Sequence, residues 1–381
     1  MSISVDLQKI LFDNPLDIDT LQSNKLNDGD NDKDKDLRSL FTYDPGFIQW
    51  LVSNNTSLVV SSYKTATIYT IGTVYDMRDN QNKLSMWVSS FNRPMGLYTT
   101  PDKIWISSSG NLWKYDNVGE QEDKENFGKF DATYIPTKAY FSNDIDAHDI
   151  CIDKNGNPYY CSATFCCICV PSLTHSFRVF WKPPWISKVA PEDRCHLNGL
   201  CARDGEPRYV TAICMGDAKN SWRDNRVGRG VVFDMKENRV VCKNITMPHS
   251  PRWMHGKLWI LEAGTGWLGT VNFETGTLDK LMWIPGYLRG LCFVGTKYMI
   301  VGSSEDRHES TFKNLPLGEE LKKQNKEAIC GFFVINLETL KIEHTFQFFS
   351  PINELYDVCS IQGIRRPRIE HLNNVNYSSY V

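Results

Sequence analysis

Met95-Gly-Leu-Tyr-Thr-Thr-Pro-Asp-Lys-Ile-Trp-Ile106 and His249-Ser-Pro-Arg-Trp-Met-His-Gly-Lys-Leu-Trp-Ile260 share one layout: an opening residue, a small second residue, and a Lys-x-Trp-Ile run whose tryptophan lies ten positions after the start. The same opening, a variable residue followed by a small or acidic one and usually an aliphatic one, recurs at His148-Asp149-Ile150, Asn198-Gly199-Leu200, Arg289-Gly290-Leu291 and Tyr356-Asp357-Val358. Successive openings are 53, 50, 51, 40 and 67 residues apart, close to the ~40–50 residues of a four-stranded propeller blade. Six openings imply six blades.

Second strands follow each of the first five openings, at Lys103–Ile106, Pro158–Cys161, Arg208–Thr211, Lys257–Ile260 and Lys297–Ile300. Third strands such as Gly110–Tyr115, Gly230–Phe233, Leu268–Asn272 and Phe332–Asn336 come next, and fourth strands such as Phe177–Trp181 and Glu343–Phe348 complete the blades. The runs are short, β-branched and aromatic, bounded by Gly, Pro, Asn and Asp, with no sustained helical period. The sixth repeat begins at Leu355–Ile361 and lacks three strands, which stand at the other end of the chain as Ser57–Ser61, Thr67–Ile71 and Leu84–Val88. The reading is an all-β, six-bladed β-propeller over residues 41–367, its last blade closed by strands from both ends, so that no sheet edge is left open. Residues 1–40, with the polar run Asn27–Asp36, read as a leader, and 368–381 as a tail.

Forty-two Lys and Arg against 45 Asp and Glu give a net charge of −3, which offers no general pull toward nucleic acid or an anionic membrane. The first residues lack a secretory pattern and no apolar run spans a bilayer, so a cytoplasmic protein is expected. The 12 cysteines then read as buried thiols, Cys167 and Cys169 sharing one strand face. A charged insert at 305–327 carries Leu317-Gly-Glu-Glu-Leu-Lys-Lys323, a short helix that is either a lid or a surface excursion.

Because the first strand of each blade lines the channel, equivalent positions converge on one axis. One ring is Met95, His148, Asn198, His249, Arg289 and Tyr356; two residues earlier lie Arg93, Asp146, His196, Met247, Tyr287 and Glu354. Three of the eight histidines fall in these rings. Arg289 with His148, Asn198, His249 and Tyr356, flanked by Arg93 and Glu354, would clamp a carboxylate or phosphate of a small or peptidic ligand. Alternatively His148, His249, His196 and Asn198 would hold a divalent zinc, manganese or calcium ion that activates water. A bland alternative is a polar channel whose residues only fix blade packing. Binding and processing of an anionic ligand at the channel mouth is the leading reading. A scaffold that presents its outer loops and the 305–327 insert to a protein partner is the runner-up.

The segments His196-Leu-Asn-Gly-Leu-Cys-Ala-Arg-Asp-Gly-Glu-Pro-Arg-Tyr-Val-Thr-Ala212, His249-Ser-Pro-Arg-Trp253, Leu261-Glu-Ala-Gly-Thr-Gly266 and Pro285-Gly-Tyr-Leu-Arg-Gly-Leu291 resemble an uncharacterised bacterial family of conserved hypothetical propellers. That resemblance covers nearly the whole chain after residue 40 and implies the fold alone. More distantly, Leu197-Asn-Gly-Leu200 resembles the gluconolactonase and strictosidine-synthase-like propellers. There Asn198 would match a metal-binding asparagine, which implies a third reading, a lactonase-like metal-dependent hydrolase. The other ligands of that family are a Glu, a second Asn and an Asp, whereas the column that holds Asn198 offers His148, His249, Arg289 and Met95.

Overall fold

The structure, a computed structural model, describes residues 40–122, 128–305 and 314–370. Six antiparallel sheets follow one another around an axis. Blade I holds Leu97–Thr99, Lys103–Ser108, Gly110–Asn117 and Ala132–Asn143; blade II holds Ala147–Ile152, Pro158–Ser162, Cys167–Val170 and Arg178–Trp181. Blade III runs through Leu197–Arg203, Glu206–Ala212, Gly230–Asp234 and Arg239–Ile245, and blade IV through Pro248–Met254, Lys257–Glu262, Trp267–Asn272 and Thr277–Trp283. Blade V is Tyr287–Val294, Tyr298–Ser304, Gly331–Asn336 and Lys341–Phe348. Blade VI joins the C-terminal strand Asp357–Gln362 to Thr56–Ser62, Thr67–Asp76 and Gln81–Ser90. The closing pair runs in continuous register from Thr56 opposite Gln362 to Ser61 opposite Asp357.

Two further strands thicken the ring. Phe41–Tyr43 adds to the outer edge of blade V, and Pro367–Ile369 lies parallel to Ala132–Tyr134 on blade I. Arg368 and Ile369, expected in the tail, therefore belong to a strand; the leader up to residue 39 and the tail from 371 onward lie outside the described residues. Apolar side chains fill the clefts between blades, for example Cys161, Ile168, Leu200, Val210 and Phe233 between II and III, and Val59, Ile104, Tyr134 and Ile369 between VI and I. Eleven of the 12 cysteines are buried and all are free thiols, Cys167 and Cys169 sharing one face at 3.6 Å. Among the described residues no helix is long and apolar enough to cross a membrane.

The second position of the opening alternates around the ring. It is Gly96, Gly199 and Gly290 in blades I, III and V, and Asp149, Ser250 and Asp357 in II, IV and VI. Each polar member accepts a backbone N–H from the next blade: Leu200 to Asp149 at 3.0 Å, Gly290 to Ser250 at 3.0 Å and Leu97 to Asp357 at 2.9 Å. The glycines are needed where the following blade presses in. A Cβ on Gly96 would lie 2.8 Å from the His148 carbonyl oxygen, and one on Gly290, at φ +78°, 2.6 Å from the Val358 nitrogen. Six sequence repeats thus work as three clamped pairs.

Residues 306–313 of the 305–327 insert lie outside the described residues, and its described part, 314–327, does not simply project. Its helix Pro316–Lys323 starts with proline at its first turn, a position where the missing N–H costs nothing. Leu317 and Leu321 are buried against Ile213, Trp222, Met247 and Tyr287 of the central blades, and Leu317 donates its N–H to the Gly264 carbonyl at 2.9 Å. The helix packs beside the upper ring of channel residues.

Candidate functional site

The opening segments bend sharply before they enter the channel. Arg93, Asp146, His196 and Met247, four equivalent positions of the upper ring, all sit in left-handed backbone at φ 50° to 53°, a conformation that non-glycine residues adopt only when their surroundings impose it. The bend turns two carbonyls back on the following histidines. Asp146 O accepts from His148 Nδ1 at 2.9 Å, and Met247 O accepts from His249 Nδ1, also at 2.9 Å. Since Nδ1 is the donor in each ring, Nε2 carries the lone pair. In His249 that lone pair receives the Asn198 amide at 3.1 Å, and Asn198 in turn accepts the Thr211 hydroxyl at 2.7 Å. His148 Nε2 has no hydrogen-bond partner among the described residues.

Repeat alignment brings His148, Asn198, His249, Arg289 and Tyr356 together around a cavity of about 10 Å³, room for a single water. Arg289 lies over the Tyr356 ring at 4.9 Å, and His148 meets Tyr356 edge-on at 5.6 Å. His196, from the upper ring, packs perpendicular to His148 with ring centres 4.8 Å apart. The remaining candidates stand further out. Arg93 is partly exposed and paired with Asp146 at 2.8 Å, while Glu354 is fully buried and accepts the Ser62 hydroxyl and the Lys64 N–H, both at 3.1 Å, tying down the first turn of blade VI. Glu262, another carboxylate within reach of the mouth by sequence, is spent inside blade IV on Thr246 N–H, Thr265 and Lys280.

The environments of the three axial histidines differ. Burial, reinforced by the positive field of Arg289 and His196, draws His148 down to about 4 despite Asp146; burial and Arg289 hold His249 well below the usual imidazole range. His196 goes the other way. Burial alone would lower it, but Asp193 contacts Nδ1 with both oxygens at 3.0 and 3.1 Å and lifts it above its ordinary value. Trp222 stacks on the same ring at 4.1 Å and donates its indole N–H to Asp193 at 2.6 Å, fixing the carboxylate.

Arg289 is the unusual member. Three arginines are buried among the described residues, Arg194, Arg289 and Arg366, and Arg252 is half-buried. Arg194 is held by Glu192 and Asp217, Arg252 by Asp149, and Arg366 by Ser85 and the Lys129 carbonyl. Arg289 is 7% exposed, its Nε meets no acceptor, and no carboxylate of the described residues pairs with it. A second arginine lines the same cavity: Arg252 reaches Asp149 through both terminal nitrogens at 2.9 and 3.1 Å and lies 3.8 Å from Asp357. Burial raises the Asp357 carboxyl to about 7, Arg252 opposing and Asp149 adding to the rise.

Among the described residues no group of three or more His, Cys, Asp or Glu is arranged to hold a metal ion. The donor set explains why: both nitrogens of His249 and one of His196 already have partners. Asp193, Trp222, Asp149, Arg252 and Asp357 escaped the sequence reading as site residues. Asp193 and Trp222 come from loops outside the repeat, whereas Asp149 and Asp357 were visible in the alternation at the second opening position.

Residues 45–369 match DUF4915, a domain of unknown function. The chain belongs to this family. The match bears out the resemblance to uncharacterised propellers. No curated protein matches the sequence. Among solved structures, the DUF4915 propeller is similar to a chain of a nidogen/laminin complex, with 12% identity, 81% of this chain and 99% of the other covered, and a TM-score of 0.49. It is also similar to a Xanthomonas campestris gluconolactonase, with 10% identity, 78% and 86% covered and a TM-score of 0.43. Staphylococcus aureus virginiamycin B lyase shows 12% identity, 81% and 100% coverage and a TM-score of 0.38.

Proposed function

We propose that the axial site, opened beyond the single-water cavity of the ligand-free ring, binds a small anionic ligand, a carboxylate in the first instance, through Arg289, with His148 and Tyr356 beside it. The carrying observation is the buried guanidinium without a counter-ion. An isolated buried charge costs on the order of several kcal/mol, so a fold that keeps one on its axis gains from it in some other state. An anion that arrives there forms charge-assisted hydrogen bonds in a site with little competing water. Neutral His148 adds a polar contact without a second charge, and the aromatic face of Tyr356 holds the guanidinium flat. The metal-hydrolase reading has weaker support, since the imidazole nitrogens it needs are largely engaged.

Titration of the purified protein with acetate, pyruvate and phosphate, followed by calorimetry, tests this. At least one carboxylate binds, and Arg289→Met weakens binding by 100-fold or more. Equal binding by wild type and Arg289→Met would refute the reading.

A further inference from the structure

The axial cavity of about 10 Å³ is the size of one water, and its lining offers more donors than the fold consumes. Arg289 lines it at 7% exposure, with an Nε that meets no acceptor. Ser250 Oγ accepts the Gly290 N–H, so its own O–H is still to give; the Asn198 amide spends one N–H on His249 and has a second. We infer that in the closed ring this cavity is a halide site, a single chloride seated on Arg289 with Ser250 and Asn198 as further donors. The inference rests on the anion-binding reading above and deepens it: chloride occupies the closed form and competes with the organic anion that requires the opened one.

Charge and size together select a halide. A water in the same place would leave the buried guanidinium uncompensated, which a low-dielectric interior makes costly. A carboxylate or phosphate has too many atoms for a one-water space, whereas a chloride ion is only slightly larger than the water that fits. Two carboxylates also line the cavity, and both are turned to other donors. Asp149 takes the N–H groups of Ile150 and Leu200 and both terminal nitrogens of Arg252. Asp357 accepts from Leu97 and Val358, and burial, with Asp149 adding, raises its carboxyl to about 7, so below neutrality it carries little charge to repel an anion. Asp149 matches the charge of Arg252, and Arg289 is left as the cation that the cavity has to answer.

Chlorine NMR of the purified protein during a sodium chloride titration tests this, since chloride exchanging with a rigid site broadens the bulk line. Wild type should broaden it in excess of Arg289→Met, whose chloride affinity should be weaker by about ten-fold or more, the loss of one charge-assisted hydrogen bond. Acetate should reverse the excess. Equal broadening by the two proteins would mean ions at the surface only and overturns the halide site; carboxylate binding to halide-free protein, read by calorimetry, then stands by itself. Excess broadening that acetate, pyruvate and phosphate all leave unchanged, with no calorimetric binding of any of them, supports the halide site and overturns the carboxylate reading. A second measurement needs no variant. Wild-type crystals grown in sodium bromide should show an anomalous peak within hydrogen-bonding distance of the Arg289 guanidinium, and peaks confined to the surface overturn the inference.

Discussion

Asp357 shows how one side chain can make the ring sensitive to pH. Its carboxyl accepts two backbone N–H groups, from Leu97 and Val358, yet burial beside Asp149 raises it to about 7. A carboxyl raised in the folded state keeps its proton where the unfolded chain has lost it, so its contribution is present below the ordinary carboxylate value and is lost as pH climbs from about 4 to about 7. Urea denaturation of wild type and Asp357→Asn across that window should show a difference of a few kcal/mol that grows with pH and then levels off. A difference flat in pH would assign Asp357 to the ionised form throughout. Gly290 is the complementary case: at φ +78° and against the backbone of Asp357 and Val358, it leaves no room for a methyl group. Gly290→Ala should lower unfolding free energy by about 2–4 kcal/mol, whereas Gly110→Ala, at φ +84° with open space around it, should cost no more than about 1–2 kcal/mol.

At the scale of elements, the insert helix Pro316–Lys323 ties three blades together. Leu317 is fully buried in a cluster drawn from blades III, IV and V and the segment carrying Trp222. Leu317→Ala should destabilise the protein by about 2–5 kcal/mol and, because Trp222 steadies Asp193, should lower the NMR-determined pKa of His196. An unchanged His196 would separate the helix from the site. The helix itself was legible in the sequence, but not what it touches. Its two leucines are four apart and mark an apolar face, while the partners Ile213, Met247 and Tyr287 lie 104, 70 and 30 residues before Leu317 along the chain and only the closed ring makes them neighbours. Inner strands were legible for the opposite reason, since each repeats the same opening and the same spacing. The Asp193–His196–Trp222 contact has no repeat counterpart, so no internal alignment could have exposed it.

For the whole molecule, closure is the feature on which both stability and site depend. Thr56–Ser62 pairs with Asp357–Gln362, and through that pairing Tyr356 reaches the axis beside Arg289. Removing residues 357–381 should leave Thr56–Ser62 as an open edge and produce a protein that aggregates and no longer unfolds cooperatively; a soluble, cooperative truncation would show that closure is dispensable. The ring was readable because six spacings agree with one architecture, and with it the convergence of His148, Asn198, His249, Arg289 and Tyr356. Which of these would lack a partner was not readable, because counter-ions arrive from any loop. The central claim is that Arg289 is held on the axis for a ligand rather than for the fold, and the unfolding free energy of ligand-free Arg289→Met tests it most directly. Stability equal to or above wild type is predicted, because an uncompensated buried cation has been removed; a loss of about 3–5 kcal/mol, the usual result of breaking a buried ion pair, would contradict it.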